Sequence, residues 1–267
     1  MRLVLVTAVT LLLAGCGVTR PFGSGDGPPA RPRDVSNVPD AVPRDHPRSR
    51  YGNPDSYEVD GRRYQVLESA DGFVQRGIAS WYGKKFHGKR TSSGEPYDMY
   101  AMTAAHKTLP LPSYVTVKNL RNGREVTVKV NDRGPFVDNR IIDLSYAAAA
   151  KLGMLNTGTA PVEIRLAGSN GPADTAEPEP GNSVESGDVT YFLQLGAFGQ
   201  RGNADRLRAR AQAAQSSTDV RVTPLHRDHG PDLYRVRVGP LDSVDAVDRM
   251  TQRLAAHGML NTQVVVE

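Results

Sequence analysis

The sequence predicts two small folds in series, a mainly β barrel and then an α+β domain. Three observations predict them. Residues 74–167 hold many short strand patterns and one or two helices, which suits a small β-barrel, although pattern alone leaves the barrel type open. Residues 189–267 read in the order βαββαβ, which implies an antiparallel sheet with two helices on one face, ferredoxin-like. Between them, residues 168–188 contain Gly-Ser-Asn-Gly-Pro and an acidic Glu-Pro-Glu-Pro run, the composition of a flexible linker.

Composition agrees. Hydrophobic residues make up 39% and aromatics 6% of 267 residues, enough for two modest cores rather than one large one. The formal charge of +4 favours an anionic polymer or surface over an anionic metabolite. No nucleic-acid module is visible, so nucleic acid is not an expected partner. The single cysteine, Cys16, excludes an internal disulfide framework and a cysteine metal cluster.

The elements follow in order. Met1-Arg2 is a positive start, and residues 3–13 form an apolar run too short to span a bilayer. Leu13-Ala14-Gly15-Cys16 then places small residues before a cut site, as in a secretory signal peptide over residues 1–15. A cysteine at the first mature position resembles the lipobox of bacterial lipoproteins. That resemblance implies a diacylglycerol thioether and an N-acyl chain on Cys16, a stable membrane anchor. Gly17, rather than Asp, follows it. This resembles the outer-membrane-sorted class and implies the periplasmic face of an outer membrane. Residues 16–50, rich in Pro, Gly, Arg and Asp, are expected to be a disordered tether. Residues 51–73 form an arm with two short β runs around Asp60-Gly61.

In the barrel, strands are expected at 74–82, 115–117, 125–130 and 161–166, with a hairpin at Asn122-Gly123. An Ala-rich helix is expected over 145–152, stopped by Gly153 and capped by Asp143. In the second domain, strands are expected at 189–195, 220–224, 233–238 and 262–266, and helices at 203–215 and 243–257.

The segments GIASWYG, RTSSGEPYD, MTAAHKTLPLPSYVTVKNL, VKVNDRGPF and RIIDLS together resemble the RlpA (rare lipoprotein A) family. The resemblance implies a double-psi β-barrel and cleavage of peptidoglycan glycan strands without water as nucleophile. The segments YFLQLGAF, GNADRLRARAQ and LYRVRVGPL resemble the SPOR domain. That implies binding to glycan strands stripped of stem peptides, which are abundant at division septa. Neither resemblance implies a cofactor.

Glycosidic cleavage needs a proton on the leaving oxygen and stabilisation of an oxocarbenium-like centre. A carboxyl group of raised pKa supplies the proton. Asp132 ends a strand before the turn Arg133-Gly134-Pro135, and by the resemblance it is expected to be acid and then base. Glu95, in a loop after Ser93-Gly94, is its expected partner; the reverse assignment stays open. His106 is expected to hydrogen-bond the sugar or a carboxyl group. Singly, the three also fit a turn residue, a solvated loop acid and a core histidine. Trp81 and Tyr82 fit either sugar stacking or core packing, and Tyr97 and Asn131 are further groove candidates. In the second domain, alternation turns Tyr234, Val236 and Val238 toward the helices and leaves Arg235, Arg237 and Gln194 on the open face for sugar hydroxyls.

Other chemistries fit worse: no nucleophile elbow, phosphate-cradling loop or metal-ligand spacing is present. The sequence therefore points to a monomeric septal lipoprotein that cleaves glycan strands and forms 1,6-anhydromuramyl ends. The alternative is an expansin-like protein that binds the wall without cleaving it.

Overall fold

The computed structural model describes residues 25–168, 189–215, 217–227 and 230–267. Cys16, the leader and nearly all of the linker lie outside the described residues.

The arm is a hairpin of β1 (Ser56–Val59) and β2 (Arg62–Gln65). Asp60 and Gly61 both have positive φ, 49° and 74°, as a two-residue turn of this kind requires. Six strands then close a barrel: β3 (Val74–Tyr82), β4 (Thr103–His106), β5 (Ser113–Asn119), β6 (Glu125–Asp132), β7 (Arg140–Ser145) and β8 (Ala160–Leu166), in the order β3-β7-β4-β6-β5-β8. The pairs β3/β7 and β4/β6 are parallel and the others antiparallel, giving the mixed six-stranded double-psi barrel. Alternation explains the closure. Ala104, Val115, Val117, Val126, Val128, Val130, Ile142 and Leu144 are buried in the core, while the residues between them face outward. The hairpin at Asn122-Gly123 joins β5 and β6 as expected.

Two corrections concern the barrel. β4 and β7 are strands the sequence reading passed over. Helix α1 (Tyr146–Lys151) is capped by the Ser145 hydroxyl, which accepts from the Ala148 N–H at 3.2 Å; Asp143 is a strand residue and no cap.

A third difference concerns residues 25–50. The expected tether instead lies along the barrel in extended form. Ala41 N–H donates to Thr127 O and Thr127 N–H to the Asp40 carboxylate, while Ser49 N–H donates to Leu111 O. Val35 is buried in the barrel core cluster, and Arg33 stacks on Tyr100. Polar, Pro-rich chain can order where a preformed strand edge and loop carbonyls take up its hydrogen bonds.

The second domain consists of β9 (Tyr191–Phe198), α2 (Arg201–Ala214), β10 (Val220–Leu225), β11 (Leu233–Leu241), α3 (Val244–Ala256) and β12 (Gln263–Val266). Its antiparallel sheet has the order β10-β11-β9-β12, and both helices contact it. Val236 and Val238 are fully buried and Tyr234 packs on the same core, so the expected inward set holds.

The two domains touch. Ile78 of β3 is fully buried in the second domain's core cluster. Arg140, only 8% exposed, donates to both Asp248 carboxylate oxygens at 3.1 and 2.6 Å, and Asn139 donates to Thr251 at 2.8 Å.

Candidate active site

The site grows out of the barrel's strand alternation. Ala104 points inward between its register partners Val130 and Leu144. The next residue, Ala105, therefore turns to the opposite side of the strand, where it is itself covered, 4% exposed and part of the barrel's core cluster. Its register partners are Asp132 on β6 and Asp143 on β7. A register shift on β6 skips Asn131, and this irregularity brings Asp132 opposite Ala105. Ser80 on β3 is in turn the partner of Asp143. One face thus carries Ser80, Asp143, Ala105 and Asp132 across four neighbouring strands.

Asp132 is held rigidly. Its Oδ1 accepts from Ser92 N–H at 2.8 Å, Ser92 Oγ at 2.7 Å and Arg133 N–H at 2.8 Å. Arg133 donates to Gly52 O, Leu109 O and His106 O, which locks the turn beneath Asp132. Asp143 accepts from the Ser80 hydroxyl. Burial pushes its carboxyl up to about 6, against the pull of the Ser80 hydrogen bond and of Arg140 and Lys107, with Asp26 adding to the rise. The Tyr82 hydroxyl lies within electrostatic reach of both aspartates, and burial raises it well above the usual phenol range.

Glu95 sits over β6. Its Oε1 accepts from Lys129 Nζ at 2.5 Å and its Oε2 from Asn131 Nδ2 at 2.8 Å. Burial works to raise this carboxyl, but the Asn131 amide and the Lys129 ammonium outweigh it and hold it below its ordinary value. Its side chain remains 45% exposed, so it meets solvent as an ionised group. The structure therefore gathers Glu95, Asn131 and Asp132 at one end of the surface and Asp143 at the other.

His106 does not join them. It is 2% exposed. Its Nδ1 accepts from Thr108 N–H at 3.2 Å and Leu109 N–H at 3.1 Å, which leaves the proton on Nε2, 3.1 Å from Gln75 Oε1. Burial first, then Arg133 and Lys107, lowers its pKa to about 3. The expected contact with sugar or carboxylate is replaced by a turn-organising role. Trp81 and Tyr97 are likewise core residues: Trp81 packs edge-on against Tyr146, and Tyr97 stacks on Tyr82 at 4.1 Å and donates to Tyr82 O. Burial takes all three rings away from a stacking role on sugars. Gln194, Arg235 and Arg237 lie on the second domain's sheet, where Arg237 donates to Glu267 at 2.6 Å and approaches Gln194 at 3.5 Å. Cys16 lies outside the described residues, and among those residues no cluster fit to hold a metal occurs.

Sequence reasoning missed Asp143, Ser80 and Asp26. The alternation Ile142-Asp143-Leu144 was a usable strand signal for the first. Asp26 had none. Its carboxylate accepts from Gly83 N–H at 3.1 Å and Lys85 N–H at 3.1 Å, and Gly27 O accepts from Lys84 N–H at 3.0 Å. The N-terminal strap is thereby clamped to the loop that follows β3.

Comparison with known proteins agrees with this architecture. The lytic transglycolase family matches residues 74–164 and the SPOR domain family residues 187–265. Relatives from several bacteria carry the name endolytic peptidoglycan transglycosylase RlpA. That of Vibrio cholerae is 40% identical over 96% of this chain and 94% of its own. That of Pseudomonas aeruginosa UCBPP-PA14 is 40% identical over 84% of this chain and 79% of its own. That of Neisseria meningitidis serogroup B is 45% identical over 70% and 74%. With a double-psi barrel, outward carboxylates on its surface and a βαββαβ domain behind it, the chain belongs to the RlpA family of endolytic peptidoglycan transglycosylases.

Proposed function

We propose that Asp143 is the proton donor of this transglycosylase and that Asp132 and Glu95 are its ionised partners. The protein is an endolytic peptidoglycan lytic transglycosylase with a SPOR septal-targeting domain. The observation that carries the residue assignment is the pairing of Asp132 and Asp143 with one residue, Ala105. Two strand spacings put their Cα atoms about 10 Å apart, room for a sugar ring between them.

The chemistry needs one proton donated and one removed. Asp143, pushed up to about 6, protonates the glycosidic oxygen between muramyl C1 and the next glucosaminyl residue as the C1–O bond breaks. Positive charge at C1 develops near the Asp132 and Glu95 carboxylates. The muramyl C6 hydroxyl then attacks C1 and gives its proton to the Asp143 carboxylate. The products are a 1,6-anhydromuramyl end and a free glucosaminyl 4-hydroxyl, with no water consumed and the acid regenerated. This departs from the sequence expectation, which gave the acid and base roles to Asp132 with Glu95 as its partner, or the reverse, and help from His106.

Gln194, Arg235 and Arg237 bind glycan strands lacking stem peptides, and the lipid on Cys16 anchors the monomer to the periplasmic face of the outer membrane. Together these place cleavage at the division septum, in wall remodelling and daughter-cell separation. Tethering the substrate raises its concentration at the barrel.

The test is mass spectrometry of products from intact and amidase-treated peptidoglycan, using the chain without residues 1–16 and its Asp143→Asn, Asp132→Asn and Glu95→Gln variants. Anhydromuramyl ends that disappear with Asp143→Asn are expected. Undiminished anhydromuramyl ends from that variant return the acid role to Asp132. Reducing muramic ends would indicate hydrolysis by water, and no new ends with binding retained would indicate an expansin-like binder.

A further inference from the structure

With Trp81, Tyr82 and Tyr97 buried, the large rings exposed among the described residues are Tyr51, Phe86 and Phe136. Two of them already carry a cation. Arg50 lies over the Tyr51 ring, and Lys85 and Lys89 lie over the Phe86 ring. Among the described residues no cation lies over Phe136, which is 40% exposed.

Phe136 is set beside the aspartate site by the chain itself. It follows Asp132 through the turn Arg133-Gly134-Pro135. A Cβ built on Gly134 would stand 3.9 Å from both the Ala105 methyl and a carbon of the Phe136 ring, so the ring lies near the residue that Asp132 and Asp143 share. The arm holds it from the other side. Tyr57 and Tyr64 stack on each other at 5.3 Å, and the Phe136 ring meets Tyr57 at 6.1 Å and Tyr64 at 5.8 Å. Tyr57 is itself fixed, because its hydroxyl donates to Lys107 O at 2.7 Å and Arg133 lies over its ring. An exposed ring propped by two others is rigid, which lowers the entropy lost when a ligand settles on it.

A cavity of about 260 Å³ opens at this ring, lined by Val59, Asp60, Arg62, Tyr64, Phe136 and Asp138. It is small for a drug-sized ligand and suits a single ring. Its chemistry is mixed. Phe136 and Tyr64 are aromatic, and Asp60 and Asp138 are carboxylates. Asp138 accepts from Arg62, and a carboxylate has further lone pairs to offer. A pyranose has the matching pattern. Its C–H groups, slightly positive, suit the negative face of an aromatic ring, and the hydroxyls around its edge donate to carboxylates.

We infer that Phe136, propped by Tyr57 and Tyr64 of the arm, is a stacking platform for one sugar of the glycan strand, on the Asp132 side of the bond that is cleaved. The Asp60 and Asp138 carboxylates accept from that sugar's hydroxyls. The β1–β2 hairpin is therefore part of the substrate site rather than a spacer before the barrel. The inference rests on the reading that places Asp132 at the reacting bond, and adds the neighbouring subsite.

The experiment measures formation of anhydromuramyl ends from soluble glycan oligosaccharides, with kcat and KM determined separately, for the chain without residues 1–16. Phe136→Ala should raise KM by about tenfold, the size of one ring contact, and leave kcat nearly unchanged, as expected where binding is lost equally from substrate and transition state. Phe136→Trp should restore KM. Phe136→Leu keeps an apolar side chain without a ring face and should behave like Phe136→Ala. Binding has its own readout. Trp81 is the sole tryptophan of the chain and is buried, so the fluorescence of the Phe136→Trp variant should shift on addition of the oligosaccharides where that of wild type does not. An unchanged KM in Phe136→Ala, or a wild-type KM in Phe136→Leu, overturns the platform. Self-association of the wild type that Phe136→Ala abolishes would make the ring a contact between copies and overturns it too. Undiminished cleavage by Asp132→Asn overturns instead the placement of Asp132, and the fluorescence titration then decides the platform alone.

Discussion

Asp132 and Asp143 are both register partners of Ala105, one across each edge of β4. Their surroundings differ. Asp132 accepts two backbone N–H groups and a hydroxyl, whereas Asp143 is packed among β3, β7 and the strap with one hydroxyl donor. Different surroundings are how two like groups come to take different roles.

The first prediction follows from that difference. If Asp143 must be protonated to act, cleavage should fall as pH rises past about 6. Asp143→Asn should lower the rate by about 10²- to 10⁴-fold and keep glycan binding. Stability carries a second signature. The folded pKa lies above the unfolded value, so the contribution is fully present below the unfolded pKa and is lost as pH rises through about 6. Compared with wild type, Asp143→Asn should therefore gain stability at pH 8 relative to pH 4. Denaturant midpoints at the two pH values measure it, and an unchanged difference between the proteins refutes the assignment.

His106 gives the opposite sign. Its pKa is about 3 in the fold, below the ordinary value, so the unfolded chain takes up a proton first as pH falls. Its stabilising effect is present above the ordinary histidine pKa and is lost as pH falls toward about 3. His106→Ala should also leave the Thr108 and Leu109 N–H groups without their acceptor, at a cost of roughly 1–3 kcal/mol each. The variant should melt lower at pH 7, and the folded fraction should still cleave. Activity normalised to folded protein is the measurement, and a total loss in fully folded protein would reinstate a direct catalytic role.

These two residues also show what was legible. β3, β5, β6 and β8 carry clear alternation or a hairpin signal, and the second domain has its elements in plain order. β4 was missed because Thr103-Ala104-Ala105-His106 has little β propensity; its parallel and antiparallel neighbours impose the strand. β7 was missed because the Ala-rich run after it drew the reading toward a helix, and that placed Asp143 at a cap. Glu95 and Asp132 lie in recognisable segments, so their nomination needed only the sequence. The burial that raises Asp143, and that turns Trp81, Tyr97 and His106 into packing residues, comes from segments far away in the chain.

The strap supplies a third prediction. Asp26 accepts the Gly83 and Lys85 N–H groups, and its charge adds to the rise at Asp143. Asp26→Asn keeps an acceptor oxygen and removes the charge, so the fall in cleavage should begin at a lower pH than in wild type. Asp26→Ala should lower the maximal rate as well, because the loop after β3 loses its clamp. Gly83→Ala tests the same contact sterically, since a Cβ there would stand 2.1 Å from Gly27 O. It should behave like Asp26→Ala. The pH profile of cleavage reads all three, and identical profiles for wild type and Asp26→Asn count against the coupling.

The last prediction concerns how the domains are held. Arg140 is almost wholly buried and meets both oxygens of Asp248 on α3. Asp248→Ala leaves that guanidinium without its carboxylate, and an unpaired buried charge costs more than an exposed pair contributes. With Asp248 itself 35% exposed, the loss should be modest, about 1–3 kcal/mol, or a few degrees in the barrel's thermal midpoint. The consequence for function is larger than the consequence for folding. With Ile78 and the Asn139–Thr251 bond still in place, docking should loosen rather than be lost, and backbone ¹⁵N relaxation should give the second domain a somewhat shorter correlation time than the barrel's. The barrel's own chemistry does not use Asp248, so cleavage of short glycan fragments should persist. Cleavage of long strands should fall, because one strand would no longer meet the two domains in a fixed arrangement. Equal rates on both substrates, with docking loosened, would show that docking has no part in catalysis.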